Sequence, residues 1–132
     1  MFRTKLVLYR NITASHSLDT REEPHPHLWK CEFTFSGEPV RGRIVDFPSL
    51  EKTLFEITDP LEGCHLNDSE LLTESGRKFP TCETLGESLF ILIREKAIPR
   101  FRSENPSLDL YSIKVTLMEG ERTYGSAEIT LA

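Results

Sequence analysis

Four histidines occur in the chain, and three of them, His16, His25 and His27, fall within twelve residues. Three imidazole nitrogens with a vacant fourth position describe a catalytic zinc site, in which water or substrate completes the tetrahedron. His25 and His27 stand two residues apart, so in a strand both point to one face and can reach one ion, while the end of a neighbouring strand supplies His16. The same spacing also arises by accident among solvated or core histidines, and spacing alone leaves that reading open. The cysteines Cys31, Cys64 and Cys82 are odd in number and widely spaced. That pattern fits neither a disulfide framework nor a CxxC metal site, and they read as free thiols.

The elements that must position these residues follow from periodicity. Phe2 to Ala14 alternates in part, with Phe2, Leu6 and Leu8 on one face and Val7 and Tyr9 on the other, as in a half-buried strand. After a polar stretch containing Pro24 and Pro26, the aromatic-rich run Leu28 to Phe35 leads through Gly37-Glu38-Pro39 into Val40 to Phe47. This reads as one long second strand, interrupted or bulged near Gly37. Leu50, Leu54, Phe55 and Ile57 then recur at helical spacing until Pro60. Residues 60–80 show no sustained periodicity, and loops of that length inside a domain are usually functional. From Thr81 onward, Leu85, Leu89, Leu92 and Ile93 mark one face of a second helix. Leu108 to Met118 and Tyr124 to Leu131 alternate as a terminal hairpin turning at Glu119-Gly120-Glu121. The expected plan is ββααββ, an α+β fold with two helices on one face of a four-stranded antiparallel sheet.

Composition narrows the function classes. With 132 residues the chain has the size of one domain, expected to span 1–132, and 38% hydrophobic with 28% charged residues is ordinary for a soluble protein. No segment approaches the eighteen or so apolar residues of a membrane helix. The start MFRTKLVLYRN lacks a signal-peptide pattern, which predicts a cytoplasmic protein. The net charge is -5, and the sixteen Lys and Arg residues are scattered, so nucleic acid is a poor candidate partner.

Several short motifs occur in one order along the chain. Ile12-Thr13-Ala14-Ser15-His16-Ser17-Leu18 resembles the first-histidine motif of the 6-pyruvoyltetrahydropterin synthases and of the related 6-carboxytetrahydropterin synthases of deazapurine (queuosine) synthesis. His25-Pro26-His27 is similar to their HGH. Gly42-Arg43-Ile44-Val45-Asp46-Phe47 resembles G-x-V-x-D-F, Leu66-Asn67 resembles L-N, and Pro80-Thr81-Cys82-Glu83 resembles P-T-x-E at the start of the second helix. Val115-Thr116-Leu117-Met118-Glu119 and Tyr124 are similar to the final hairpin. The resemblance implies the tunnelling fold (T-fold), with sheets joined into trimeric barrels that stack as a homohexamer, a dimer of trimers. It implies a zinc-dependent lyase acting on a dihydropterin such as 7,8-dihydroneopterin triphosphate, with Zn2+ on His16, His25 and His27. Glu119 would anchor the pterin ring through a bidentate fork, and Thr81 and Glu83 would contribute to substrate binding.

The chain departs from that pattern where protons should move. The usual cysteine, four residues before the first histidine of HGH, is Arg21. Glu22, three residues before His25, stands where a subgroup similar to the folate-pathway enzymes carries glutamate, and it is the candidate general base, weighed evenly against a solvated loop carboxylate like Glu23. The family's Asp-His pair aligns with Glu62-Gly63, so the dyad histidine is missing; a general acid or base is commonly worth about 100 to 10,000-fold. His65, two positions on, could enter the site if the loop were rewound, with Cys64 beside it, or be an ordinary loop histidine. Pro26 replaces the glycine of HGH and cannot donate to a sheet ladder, which demands an edge or a bulge. An altered homologue that binds zinc and a pterin or purine without the usual reaction is the alternative.

Overall fold

Alternating apolar residues form the strands that carry the site. The computed structural model describes residues 4–18, 23–120 and 122–130, the stretch from 123 on by its backbone. β1 (Thr4–His16), β2 (His25–Glu38), β3 (Asp109–Glu119) and β4 (Thr123–Thr130) form one antiparallel sheet in the order β1-β2-β3-β4. Leu8, Ile12 and Ala14 of β1, Trp29, Cys31, Phe33 and Phe35 of β2, and Ile113, Val115 and Leu117 of β3 are buried. Each set has period two, so one sheet face is apolar and must be covered. β1 runs two residues further than alternation predicted and ends on His16. Phe2, Glu121 and Leu131 lie outside the described residues.

The cover is helical. α1 (Phe47–Thr58) starts where the Asp46 carboxylate accepts the Ser49 N–H, and it buries Leu50, Thr53 and Leu54. α2 (Glu74–Lys78) is a short helix capped by Thr73. α3 (Cys82–Leu92) is capped by Thr81, whose hydroxyl accepts the Thr84 N–H while Thr84 Oγ1 accepts the Thr81 N–H. The chain then passes through a π-turn, Ile93–Ala97, into α4 (Ile98–Glu104). Pro99 explains the turn: it lacks an N–H and would clash with the carbonyl four residues back in a regular α-helix. α3 packs across β3 and β4, and Phe101 of α4 meets Phe35 of β2 edge-on at 6.4 Å.

The helical layer is therefore richer than the two helices expected. Residues 60–80, read as an aperiodic loop, contain 3-10 turns at Asp59–Leu61 and Leu66–Asp68 besides α2. The second strand stops at Glu38 and does not continue to Phe47. Instead Val40 and Arg43 exchange backbone hydrogen bonds across a tight turn with Arg41 at φ 55 and Gly42 at φ 85. Ile44 and Val45 are then buried side by side, which no half-exposed strand permits. The irregularity expected near Gly37 is a register shift between Ser36 and Gly37. A Cβ on Gly37 would come within 2.4 Å of the Asp109 carbonyl oxygen, so only glycine allows β3 this close.

Candidate metal centre

The three histidines meet at one end of the apolar sheet face. His16 pairs with His25 and Ala14 with His27 in the β1–β2 ladder, so antiparallel register sets His16 beside both residues of the HxH pair. Ring centroids are 4.7 Å apart for His16 and His25, 4.9 Å for His16 and His27, and 4.6 Å for His25 and His27. One ligand nitrogen from each lies within 4.8 Å of the others. Metal–nitrogen bonds of roughly 2.0–2.1 Å in a tetrahedron place neighbouring ligand nitrogens about 3.3 Å apart. Pro26 is tolerated because the β2–β3 ladder begins at Trp29 and Glu119, so among the described residues β2 pairs at Pro26 with β1 alone.

Hydrogen bonds orient the rings. His16 Nδ1 lies 2.7 Å from the Pro80 carbonyl oxygen. A carbonyl only accepts, so Nδ1 carries the proton and Nε2 carries the lone pair. His16 is 2% exposed, and its Nε2 has no hydrogen-bond partner. A buried, unsatisfied lone pair aimed at two other imidazoles fits a cation, since the donor set is one that zinc or a similar transition metal accepts. His25 Nδ1 faces the Glu23 carbonyl at 3.3 Å in the same sense. Trp29, two residues beyond His27 on the same face, meets His16 edge-on at 5.0 Å and donates its Nε1–H to the Ala14 carbonyl. It forms an apolar wall that strengthens electrostatics at the site.

Glu119, the last residue of β3, pairs with Trp29 and reaches the triad. Its Oε1 lies 3.0 Å from His27 Nε2 and 3.6 Å from His16 Nε2. Thr81 caps α3 immediately after the Pro80 carbonyl that holds His16, while Glu83 is exposed on the first turn. His65 Nδ1 is hydrogen-bonded to Ser15 Oγ at 2.9 Å, and Ser15 faces the side of β1 opposite to His16. Burial raises the pKa of the neighbouring Cys64 thiol. Gly63 stands at φ +74 with its N–H bonded to the Thr13 carbonyl at 2.7 Å, a left-handed turn that a histidine would occupy only with strain. Arg21 and Glu22 lie outside the described residues.

Sequence reasoning missed the supports. Segment 62–67 runs along the end of β1, with Ser15 N–H donating to the Cys64 carbonyl at 3.0 Å. Asn67 completes the seam: its Oδ1 accepts the Ser17 N–H at 2.9 Å and its Nδ2 donates to the Ser17 carbonyl at 2.8 Å. No local pattern shows that pairing, whereas Trp29 was legible from period two alone. A cavity of about 480 Å³ lies beyond the opposite end of β2, lined by Arg41, Arg43, Asp46, Ser49 and Glu104 among others, and holds none of these residues.

The family model described as 6-pyruvoyl tetrahydropterin synthase matches residues 6–128. Among solved structures, a Plasmodium vivax 6-pyruvoyltetrahydropterin synthase carrying a catalytic glutamate replaced by cysteine superposes with a TM-score of 0.77 at 14% identity, covering 99% of this chain and 100% of that one. The Plasmodium falciparum enzyme gives 0.77 at 12%, covering 98% and 99%. The Caenorhabditis elegans enzyme gives 0.73 at 18%, covering 96% of each chain. No curated protein matches the chain.

Proposed function

The chain belongs to the 6-pyruvoyl tetrahydropterin synthase family, and from that premise we propose that it is a zinc-dependent lyase acting on a dihydropterin such as 7,8-dihydroneopterin triphosphate. The observation that carries this reading is the convergence of three imidazoles around the buried, unpartnered Nε2 of His16. His16, His25 and His27 would hold the ion, which when bound supplies Lewis-acid stabilisation of developing oxyanion charge on the substrate side chain. Glu119 would accept the ring's amino and amide hydrogens, and the α3 start at Thr81 and Glu83 would line the substrate. Glu22 would remove the carbon-bound proton. Support for a carboxylate in that role comes from the Plasmodium vivax protein, whose catalytic residue is a glutamate. Trp29 excludes water behind the triad, and the Pro80 carbonyl holds His16 in the tautomer that can ligate.

The proposal extends to one domain over 1–132, to a cytoplasmic location and to a homohexamer, the assembly that the family resemblance implies. No described helix is long and apolar enough to cross a membrane. Purified protein should contain about one zinc per chain and convert 7,8-dihydroneopterin triphosphate to a pyruvoyl, carboxy or hydroxymethyl pterin, with Glu22→Gln abolishing turnover at unchanged zinc content. Absence of zinc after incubation at neutral pH defeats the reading.

A second reading, a zinc- and pterin- or purine-binding homologue without the usual reaction, is favoured by the left-handed Gly63 at the dyad position and by His65 being tied to Ser15. Zinc and pterin binding without product selects it.

A further inference from the structure

We infer that Glu119 is a fourth ligand of the metal in the substrate-free protein, and that the substrate must displace it. This rests on the metal reading above and adds a residue to it. The three histidines alone describe an open site, yet the structure places a carboxylate against two of the three rings. Glu119 Oε1 is 3.0 Å from His27 Nε2 and 3.6 Å from His16 Nε2. Those separations bracket the spacing of about 3.3 Å that neighbouring ligand atoms take around a tetrahedral zinc.

Electrostatics makes the same point. The Pro80 carbonyl fixes the His16 proton on Nδ1, so the Nε2 that faces Glu119 presents a lone pair. A carboxylate oxygen aimed at a buried nitrogen lone pair is repulsive, and at 3.6 Å it makes no hydrogen bond there. A cation between the two turns both lone pairs into bonds. Without a cation the same oxygen is within ion-pair distance of His27 Nε2, at 3.0 Å, and the metal would replace that contact.

Glu119 is also built to leave. It ends β3, its side chain is 27% exposed, and Gly120 follows at φ +76, where the hairpin turns. A carboxylate with an open side can swing toward a pterin ring whose amino and amide groups offer two donors. Ligation and ring anchoring then exclude one another. The fourth position opens when the correct ring draws Glu119 away, and a molecule that lacks the donor pair meets a closed, less electrophilic site. Specificity follows from that coupling.

The experiment compares the full-length wild type with Glu119→Gln and Glu119→Ala. Zinc affinity is measured by competition with a chromophoric chelator, and the cobalt-loaded proteins are titrated with azide while their visible absorption is followed. Loss of a ligand should weaken zinc binding by about 10- to 100-fold in both variants. Azide, a small anion that takes an open position, should bind cobalt in both variants at concentrations that leave the wild-type spectrum unchanged. Equal zinc affinity and equal azide binding in all three proteins overturn the inference while leaving the three-histidine site intact. A wild type that binds no zinc overturns both. The two variants guard against a fold defect, since glutamine preserves shape and alanine removes bulk.

Discussion

Replacing Asn67 by alanine should loosen the strand end that carries His16. The side chain makes two hydrogen bonds with the Ser17 backbone, at 2.9 and 2.8 Å, and Ser17 follows His16 directly. A net contribution of about 1 kcal/mol per hydrogen bond gives roughly 2 kcal/mol, reduced to about 1–2 kcal/mol because Ser17 is half-buried and water re-solvates part of what is exposed. At urea m-values of about 1–3 kcal/mol/M the denaturation midpoint should fall by roughly 0.3–2 M. Since about 1.4 kcal/mol is a factor of ten, zinc affinity should fall by up to about thirtyfold as His16 loses its anchorage. Asn67→Asp sharpens the test. Its carboxylate still accepts the Ser17 N–H but faces the Ser17 carbonyl with no hydrogen to give. It should therefore cost at least as much as alanine at pH 7, with the deficit narrowing as pH falls toward the ordinary aspartate range near 4 and the group regains a proton. Urea melts with and without zinc read both effects. An alanine variant within about 0.2 M of wild type, or an aspartate variant indistinguishable from it, would refute the clamp.

Trp29 is the chain's single tryptophan and lies 5.0 Å from His16, so loading with Cu2+ or Co2+ should quench most of the tryptophan fluorescence, and unchanged emission at saturating metal would place the ion elsewhere. Gly37→Ala should destabilise by more than about 2 kcal/mol, because its Cβ would meet the Asp109 carbonyl oxygen at 2.4 Å. Gly63→Ala should cost only about 1–2 kcal/mol from its φ of +74, with open space around the new methyl; thermal melts of the two variants check the ranking. Of the three thiols, Cys64 alone should react with an aromatic disulfide at pH 8. Cys31 and Cys82 are buried, and burial pushes the Cys31 pKa up to about 12 against a smaller opposing pull from Arg10. Mass spectrometry of the labelled peptides identifies the site.

Local periodicity carried much of the site. His25, His27 and Trp29 share a face because strand side chains alternate, and that holds for any extended chain regardless of its neighbours. Turn chemistry was legible in part, since Gly120 turns the last hairpin, whereas the Asp46 cap of α1 emerged only from the structure. Val40 to Phe47 misled because β-branched residues suit a strand by composition, whereas Ile44 and Val45 are buried as consecutive plugs under the sheet, a choice made by packing. The π-turn before Pro99 likewise needed the helix on both sides of it.

By itself the sequence determined the candidate ligand types, the face shared by the HxH pair and the family relationship, because these depend on residue identity and on contacts one or two positions apart. Tertiary structure brought His16, already named from its motif, beside that pair through the register of β1 against β2, and decided which nitrogen it offers, through a carbonyl sixty-four residues away at Pro80. It also set Glu119 against the triad by pairing that residue with Trp29 across β3. Those are long-range contacts, chosen by the packing of the whole sheet against its helices, and no short window of residues contains the energies that select them.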